Sequence, residues 1–500
     1  MKHYEFLDYY CPPKAFKTYF KRYKKMCNAG DTDKAQVYFE KAANLIGIAY
    51  TTEERKIGGN MVEVPVTKFD SVQFVDFLHN AFKVISVAGN IALYNYSEHR
   101  YDFVKEDVYL SFFKQILDGI DIAVWGTKRE KEYAKRFLRD VPKQYAAWQV
   151  PYGKIVFTNG VLDVIEDKFY PGDDSSIINF HCTGYEFPDE TEDVTCPKFL
   201  GFLNSIFEDD ALVDVVQEMF GVTLLYGGNP VQKIFLLHGT GRNGKGVLCQ
   251  MLTRIHGADN ISTASVAQLA GRFGAAMIYD KIANIATEND MNFAVDTSLL
   301  KSVSGNDYIT IDQKYEKSFQ AKVFCKLIIS TNEIVFKDRS RGFEERLLTI
   351  PFEYTFVDNP RKGTKERKKN YALEAELLEE IPAIFLWAYE GLKRLRNNHW
   401  QFTKCEKVDK LRAEILKEAN PVALFFDERV QIKEGAKTKK SDVYASFDNW
   451  AFKKRINVGS VVSAQKFYIE FGHLLEENGL TSKTSTIHGT DYFKGISLVM

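Results

Sequence analysis

The chain has 500 residues, of which 45% are hydrophobic and 14% aromatic, and its formal net charge is -1 at pH 7. This length exceeds what a single hydrophobic core organises, so we expect roughly two to four domains. The near-neutral charge excludes a protein whose whole surface attracts polyanions, so a nucleic-acid surface must be a local patch. There is no signal segment and no long apolar stretch, which predicts a cytoplasmic protein with no membrane partner.

The seven cysteines include no Cys-x-x-Cys pair, a pattern that favours reduced thiols over zinc or disulfide sites. His181, Cys182 and Cys196 supply half of a metal site at most, because no second half follows in the sequence. We therefore predict no zinc centre.

Residues 1–150 alternate basic helical stretches with aromatic-rich segments, which predicts a mostly helical N-terminal region. Asp31 and Asp33 form an Asp-x-Asp pair near the start, in a setting typical of a turn that caps a helix. A priming enzyme needs two or three carboxylates on strands to hold two metal ions. We therefore expect no priming activity, and we interpret this region as a DNA-loading, collar or partner-binding domain.

Residues 151–195 contain short β-type runs joined by turns, which predict a small β element. Helical periodicity then resumes, and strands alternate with helices to about residue 356, as is typical of a parallel α/β core. The charge run at residues 361–370 predicts a solvated loop. Residues 371–395 predict one long helix, which we interpret as a lid beside the core.

The most informative segment is IFLLHGTGRNGKGVL at residues 234–248. A buried strand ends in a glycine-rich turn, a lysine follows, and a helical pattern begins at once. In that order, backbone N–H groups, the lysine charge and the positive end of the helix dipole converge on a polyphosphate. We predict an ATP site with Mg²⁺, and the alternative is a plain glycine-rich turn. The predicted contacts are Gly239, Thr240, Gly241, Arg242, Asn243, Gly244, Lys245, Gly246 and Val247.

Gly246 stands where phosphate loops usually place a Ser or Thr that holds Mg²⁺. Because glycine has no hydroxyl, water or another side chain must serve the metal. The site also needs an acid on a neighbouring strand. Glu288 follows a strand-like run, at the end where active sites of open α/β sheets lie. It is the predicted general base and metal ligand, and Asp290 is the alternative.

Two further side chains complete the predicted catalytic set of Lys245, Glu288, Asn332 and Arg346. Asn332 ends a later strand, where it could sense the γ-phosphate or position water, although Asn is also a common turn residue. Arg346 opens another strand. An arginine that enters a neighbouring subunit's site would stabilise charge on the transferred phosphoryl group. The alternative is a surface ion pair, for example with Glu344.

The segment LKSVSGNDYITIDQKYEKSFQAKVF predicts a helix, a turn and two strands joined by a basic tip. Lys314, Tyr315 and Lys317 lie at or near this tip, and they offer two phosphate contacts and one ring that could stack on a base. Lysines at an exposed hairpin are usually only solvated. The position of this hairpin inside a nucleotide-binding core favours a role in DNA binding.

Residues 412–500 predict a C-terminal unit of helices, the basic loop KEGAKTKKSD and a hairpin through His488-Gly489, an order typical of a winged helix-turn-helix module. This stretch holds 13 Lys and Arg against 11 Asp and Glu, so attraction to DNA depends on clustering. The predicted contacts are Lys437, Lys439, Lys440, Lys453, Lys454 and Arg455.

In order and spacing, GTGRNGKG, ANIATEND, KSVSGNDYITIDQKY, ISTNE and SRGFEERLLTIPF resemble the motifs of helicase superfamily three, specifically the phage, plasmid, genetic-island and poxvirus primase-helicase group. The resemblance runs from about residue 150 to the end. It implies an α/β AAA+ P-loop core over residues 196–405, a winged-helix domain behind it, and a hexameric ring that moves 3'-to-5' on single-stranded DNA. By this resemblance the four catalytic candidates occupy the nucleotide site, with Arg346 acting across subunits. Lys301, Lys314 and Lys317 match the family's basic segment.

The function favoured at this point is an ATP-dependent replicative DNA helicase of a phage or mobile element in a bacterial host. It would act on single-stranded and forked DNA, with self-loading at origin duplex DNA as a further option. Two alternatives stay open. One is an origin-binding initiator whose ATP only controls assembly, and the other is a P-loop kinase, which the hairpin and the winged-helix features disfavour.

Overall fold

The structure is a computed structural model. It describes residues 9–10, 16–87, 90–120, 124–144, 151–172, 177–188, 194–288, 297–314, 317–332, 340–418, 420–454, 463–487 and 489–499. Asp290, Tyr315 and Arg455 lie outside these residues, and of Glu288 only the backbone is described. Within the described ranges, no helix combines the length and the hydropathy that a membrane span requires.

The N-terminal region combines helices with strands. Its helices are α1 (Phe16–Asn28), α2 (Thr32–Leu45), α3 (Ser71–Ala81), α4 (Glu106–Asp118) and α5 (Thr127–Asp140). Its strands are β1 (Ile48–Ile57), β2 (Asn60–Phe69), β3 (Val84–Val87), β4 (Asn90–Asn95), β5 (Arg100–Phe103) and β6 (Lys143–Gln144). The first two strands form a separate ribbon, and the others form a sheet of order β5-β4-β3-β6. The predicted mostly helical region is therefore corrected, because apolar runs such as VISV pair into a sheet.

Helices α3, α4 and α5 hold this region together through a buried aromatic cluster. Phe74 lies 5.3 Å from Tyr133 between ring centres, and Phe113 lies 4.9 Å from Phe137. The predicted helix cap is confirmed, since the Asp31 side chain accepts a hydrogen bond from the backbone N–H of Lys34 at the start of α2.

The predicted small β element is present as a three-stranded antiparallel sheet. Its strands are β7 (Lys154–Phe157), β8 (Gly160–Asp163) and β9 (Lys168–Pro171). Phe157 packs against Phe385 with 5.0 Å between ring centres. The β element therefore shares a hydrophobic core with the helices of the following region.

A five-stranded parallel sheet forms the centre of the following region, as predicted. Its strands are β10 (Ile234–His238), β11 (Ile261–Ser262), β12 (Ala283–Glu288), β15 (Lys326–Thr331) and β16 (Leu347–Pro351). They lie in the order β11-β12-β15-β10-β16, and every pairing is parallel. Phe235 and Leu237 belong to one buried cluster, and Ile234 and Leu236 belong to another. Both faces of β10 are covered, which explains its uninterrupted apolar sequence.

Helices cover both faces of the sheet. One face packs against α6 (Pro197–Ile206), α7 (Asp210–Thr223), α8 (Lys245–His256), α13 (Leu373–Leu378) and α14 (Ile381–Asn397). The other packs against α9 (Val266–Leu269), α10 (Gly274–Ile278), α11 (Ser298–Ser304), α12 (Arg341–Glu344) and α15 (Glu406–Glu418). After α11 the predicted hairpin is present, with β13 (Tyr308–Ile311) antiparallel to β14 (Phe319–Lys322).

Two predictions for the segment after β16 need correction. The charge run at 361–370 is not only a loop, because β18 (Glu366–Lys368) pairs in parallel with β17 (Thr355–Val357). The predicted single helix over 371–395 is two helices, α13 and α14. Pro382 lies in the first turn of α14, where a proline ring is tolerated, whereas it would disrupt the interior of a continuous helix.

The described part of the C-terminal unit contains three helices and an antiparallel sheet of order β19-β21-β20. Its elements are α16 (Pro421–Arg429), β19 (Val430–Lys439), α17 (Lys440–Lys453), α18 (Ala464–Glu477), β20 (Ser485–Ile487) and β21 (Thr490–Leu498). The predicted basic loop is instead the second half of β19 and the start of α17. The predicted boundary at residue 412 cuts α15, whose Leu411 and Ile415 pack in the core of the parallel sheet. The unit therefore begins at Pro421.

Candidate nucleotide-binding site

Strand β10 delivers the glycine-rich loop to the carboxyl edge of the parallel sheet. Phe352 N donates to His238 O at 2.7 Å, which fixes the end of the strand. A Cβ atom on Gly239 would lie 2.3 Å from Phe352 O, and one on Gly244 would lie 2.9 Å from Ile206. Gly244 also has a φ of +93°. Glycine is therefore needed at both positions for the backbone to curl between its neighbours.

Lys245 opens helix α8, and its side chain turns back into the loop. The residue is 7% exposed, and burial lowers the pKa of its ammonium group. Nζ donates to Gly239 O, to Thr240 O at 3.4 Å and to Asn332 Oδ1 at 3.2 Å. The lysine charge is thus held at the centre of the turn, among oxygen acceptors that a phosphate oxygen can replace.

Neighbouring strands end side by side at this edge. In the parallel register Thr331 pairs with His238 on one side and with Glu288 on the other, and Asn332 follows at once. Because paired strands lie about 4.8 Å apart, the backbone of Glu288 is roughly 10 Å from the strand that leads into the loop. The sheet therefore brings Lys245, Asn332 and the backbone of Glu288 to one edge.

Asn243 places a buried amide inside the loop. The residue is 3% exposed, and its Oδ1 accepts a hydrogen bond from Lys245 N at 3.4 Å. Its Nδ2 has no acceptor within the described part of the chain. A buried donor left without an acceptor costs about 1–3 kcal/mol. A phosphate oxygen bound in the loop would supply that acceptor, so the amide fits an anionic ligand.

Gly246 has open surroundings, unlike Gly244. A Cβ atom at Gly246 would meet nothing within 4 Å, and the residue lies exposed in the first turn of α8. The fold therefore leaves room for the hydroxyl residue that phosphate loops usually carry here. Across the described ranges, no group of three His, Cys, Asp or Glu side chains is arranged to hold a metal ion.

A cleft of about 480 Å³ opens beside the loop. Its apolar lining comes from Phe202, Val247, Phe356 and Leu373, and its charged rim from Lys198, Arg242, Lys368, Lys369 and Glu376. Phe356 N donates to Arg242 O at 2.7 Å, so strand β17 anchors the loop to this wall. An apolar slot with a basic rim next to a phosphate loop suits the base and sugar of a nucleotide. The cleft was not predicted, because its walls come from segments far apart in the chain.

Arg346 lies at the other end of the parallel strands, where β10 begins. Ile234 N donates to Arg346 O at 2.7 Å, so Arg346 is level with the start of β10, whereas the loop follows its end. Five strand residues span roughly 16 Å, which separates Arg346 from the loop of its own chain. Its guanidinium donates to Gly342 O, and its Nε is buried without an acceptor among the described residues. No ion pair with Glu344 is present in the described ranges.

The hairpin presents its lysines to solvent. Lys314 and Lys317 are exposed near the join between β13 and β14. Arg272 pairs with Asp312 at 3.1 Å, which fastens the hairpin to the loop before α10. Lys301 is half-buried in α11, on the approach to the hairpin rather than at its tip. The tip lysines are therefore accessible, and the third lysine has a more enclosed position.

The basic residues predicted in the C-terminal unit have different surroundings. Lys437, Lys439 and Lys453 are exposed. Lys440 Nζ lies 4.5 Å from the ring centre of Tyr468, and Lys454 forms an ion pair with Glu428 at 3.0 Å. Two of the predicted DNA contacts therefore already have partners within the unit.

Comparison with known proteins relates the chain to viral helicase-like proteins. A family described as "Family of unknown function (DUF5906)" matches residues 237–346, from the end of β10 to Arg346. "Putative helicase L207/L206" of Acanthamoeba polyphaga mimivirus is 27% identical over 254 residues, which is 48% of this chain and 24% of that protein. "Putative helicase 022R" of Frog virus 3 (isolate Goorha) is 22% identical over 274 residues, 51% of this chain and 28% of that protein. The matches thus span about a quarter of the length of these relatives.

The solved structures that align with the chain include the apo structure of the NrS-1 C terminal region (305-718). It aligns with a TM-score of 0.46 at 15% identity, over 84% of this chain and 98% of that chain. The A form apo structure of the same region aligns with a TM-score of 0.45 at 12% identity, over 84% and 98% of the two chains.

Proposed function

We propose that the chain is an ATP-dependent DNA helicase that acts in replication, built on an AAA+ core with a winged-helix module behind it. The observation that carries the proposal is the meeting of Lys245, Asn332 and the end of strand β12 at one edge of a parallel sheet. At such an edge, a glycine-rich loop, a polar sensor and an acid can surround a triphosphate. The names of the viral relatives support the same activity.

In this proposal the loop binds the phosphates of ATP and the cleft beside it binds the base and sugar. Backbone N–H groups of the loop and the Asn243 amide donate to the phosphates, and Lys245 moves from its carbonyl acceptors to the β- and γ-phosphates. Asn332 responds to the γ-phosphate, and Glu288 orients the attacking water. Glu288 would help to hold Mg²⁺, and the ion would supply positive charge where negative charge develops.

The active form in this proposal is a ring, most simply a homohexamer, because the site is incomplete in one chain. The length of strand β10, roughly 16 Å, separates Arg346 from the loop of its own chain. An adjacent subunit can bring the equivalent arginine to the phosphates, where it stabilises charge only in the transition state. The tip lysines Lys314 and Lys317 then face single-stranded DNA in the ring channel and move with the nucleotide state.

Strand displacement on forked DNA tests the proposal. The full chain is incubated with ATP and Mg²⁺ and with duplexes that carry a single 3' tail, a single 5' tail, or both. The proposed activity predicts displacement that requires ATP and favours the 3' tail, together with hydrolysis stimulated by single-stranded DNA. Hydrolysis without displacement would favour the origin-binding initiator instead. A rate of ATP hydrolysis that DNA does not change would contradict both the helicase and the origin-binding initiator.

A further inference from the structure

Two exposed lysines of the C-terminal unit lie opposite each other on its sheet. In the register of β19 with β21, Lys437 pairs with Lys494 and Lys439 pairs with Tyr492. Directly paired residues project to the same side of a sheet, as do residues two apart along one strand. These four side chains therefore share one face. The intervening Phe493 is 2% exposed and belongs to the core on the opposite face.

The pairing of Lys437 with Lys494 is unfavourable in the unit by itself. Both residues are exposed, and like charges directly opposite each other destabilise a sheet. In the described part of the unit, neither lysine forms an ion pair. Glu434 lies along the same groove and pairs with neither lysine in the described ranges. An anion between the two ammonium groups would turn this repulsion into attraction.

A groove of about 470 Å³ runs beside the lysine pair. Its walls include Gly435, Gly479 and Gly495 together with the side chains of Ile432 and Leu480. The register of β19 shifts between Ile432 and Lys437, and such a bulge bends the strand and re-aims its side chains. The groove thus places two lysine ammonium groups beside an open space, which suits a phosphate group.

Helix α18, which comes before the hairpin of β20 and β21, has the wrong charge for the usual way of binding DNA. In helix-turn-helix proteins this helix enters the major groove, between two rows of phosphates. Here α18 carries one lysine against three glutamates. Its Lys466 lies 3.8 Å from Glu470, so even this charge is partly compensated. Insertion of α18 would bring net negative charge against the phosphates.

We infer that the C-terminal unit binds the sugar-phosphate backbone of DNA across the outer face of its sheet. Lys437 and Lys494 flank a phosphate in the groove, Lys439 contacts the neighbouring phosphate, and Tyr492 lies against the nucleotide between them. Helix α18 is not the DNA-binding element. This inference rests on the proposed DNA-dependent function, and it makes a separate claim about which surface contacts DNA.

The test measures DNA binding by the full chain without nucleotide, by fluorescence anisotropy over a range of salt concentrations. All variants carry Lys314→Ala and Lys317→Ala, so that the hairpin contributes little. The probes are a labelled blunt duplex and a labelled single strand of equal length. Lys437→Ala with Lys494→Ala should weaken binding at least about fivefold at low salt. It should also reduce the salt slope by roughly 1.8 on the duplex or 1.4 on the single strand, depending on which form the groove binds.

The matched control removes two exposed lysines of the same unit that lie outside its strands, Lys466→Ala with Lys483→Ala. It should leave both the affinity and the salt slope unchanged. An equal loss in the control, or an unchanged slope when Lys437 and Lys494 are removed, would overturn the inference.

Stability separates lost contacts from lost folding. Lys494→Gln alone removes the repulsion, so the unfolding temperature should stay the same or rise by about 1–4 °C while DNA binding weakens. If the Ala pair lowers the unfolding temperature, the Lys437→Arg with Lys494→Arg chain decides: retained binding supports the inference, and lost binding contradicts it. ATP hydrolysis is measured in the same preparations. If the wild-type chain does not hydrolyse ATP, the proposed helicase is contradicted. The binding assay still tests the sheet face, because it contains no nucleotide.

Discussion

Lys245 Nζ donates a hydrogen bond to Asn332 Oδ1 across 3.2 Å, although the two residues lie 87 positions apart in the chain. They meet because β10 and β15 are neighbours in the parallel sheet and end at the same edge. The same ammonium group also donates to carbonyl oxygens of its own loop. Binding of a triphosphate therefore has to exchange these acceptors for phosphate oxygens, which couples the loop to the strand that carries Asn332.

The two glycines that flank Lys245 should respond to substitution in opposite ways. Gly246→Thr should retain ATP hydrolysis within about threefold and lower the Mg²⁺ concentration needed, because the position is open and the new hydroxyl can face the metal. Gly244→Ala should lose more than about tenfold in ATP affinity, because its φ is +93° and its Cβ would press on Ile206. Titration of Mg²⁺ and nucleotide checks both. Equal inactivation of the two variants would mean that Gly246 is also needed for backbone approach.

The hairpin lysines should couple DNA to hydrolysis. Lys314→Ala with Lys317→Ala should leave hydrolysis without DNA intact, remove its stimulation by single-stranded DNA, and abolish strand displacement. Each lost phosphate contact should also flatten the salt dependence of single-strand binding by roughly 0.7. Lys322→Ala is the matched control, since Lys322 lies over the Tyr308 ring of the same hairpin, 5.2 Å from its centre. If the double variant behaves like this control, Lys314 and Lys317 do not contact DNA.

Arg346 should act across a subunit boundary. Arg346→Ala should bind ATP normally and hydrolyse it poorly, because the charge that it stabilises develops only in the transition state. Mixing this chain with Lys245→Ala chains under conditions of subunit exchange should restore partial hydrolysis, since some interfaces regain both intact residues. A chain with both substitutions is the control and should restore none. A mixture as inactive as that control, despite proven exchange, would contradict action across subunits.

Acid should destabilise the core through two buried histidines. His256 lies between Tyr226 Oη at 2.9 Å and Thr223 Oγ1 at 2.8 Å, and burial lowers its pKa to about 3, with the nearby Lys326 adding to the shift. Burial likewise lowers the pKa of His181 to about 4. Both are neutral in the folded state and bind protons near pH 6.5 when unfolded, so their stabilisation is present above that pH and is lost below it.

When the pH falls from 7 to 5, proton uptake by each of these histidines in the unfolded chain should lower the free energy of unfolding by about 2 kcal/mol. Urea denaturation at the two pH values measures this loss. His256→Gln should reduce the difference between them, whereas the exposed His399→Gln should not. Equal stability of the wild-type chain at pH 7 and pH 5 would contradict the assignment.

The parallel sheet and the hairpin were predictable because their signals are local. The apolar run of β10, the glycine spacing after it and the strand ends before Asn332 each occupy a few consecutive residues. The N-terminal strands were missed because short runs such as VISV have no period that separates a strand from a buried helix segment. The pairing of β3 with β6 joins segments far apart in the chain, whereas β1 with β2, β3 with β4 and β4 with β5 are pairings of consecutive strands.

The cleft beside the glycine-rich loop and the lysine pair were not predictable for a related reason. Phe202 and Phe356 reach one cleft from α6 and the start of β17, which are more than a hundred residues apart. The relationship of Lys437 to Lys494 depends on strand register, and a shift of one residue would place one of them on the other face. The register of two paired strands cannot be predicted from amino-acid composition or from the spacing of residues.

ATP hydrolysis by the wild-type chain and by Lys245→Ala, each with and without single-stranded DNA, decides whether the glycine-rich loop is the ATP site of a DNA-dependent enzyme. DNA should stimulate ATP hydrolysis by the wild-type chain. Lys245→Ala, with the same unfolding temperature as the wild-type chain, should lose ~10²-fold or more of the hydrolysis rate in both conditions. Near-normal turnover in the folded variant would contradict the assignment of this loop as the ATP site.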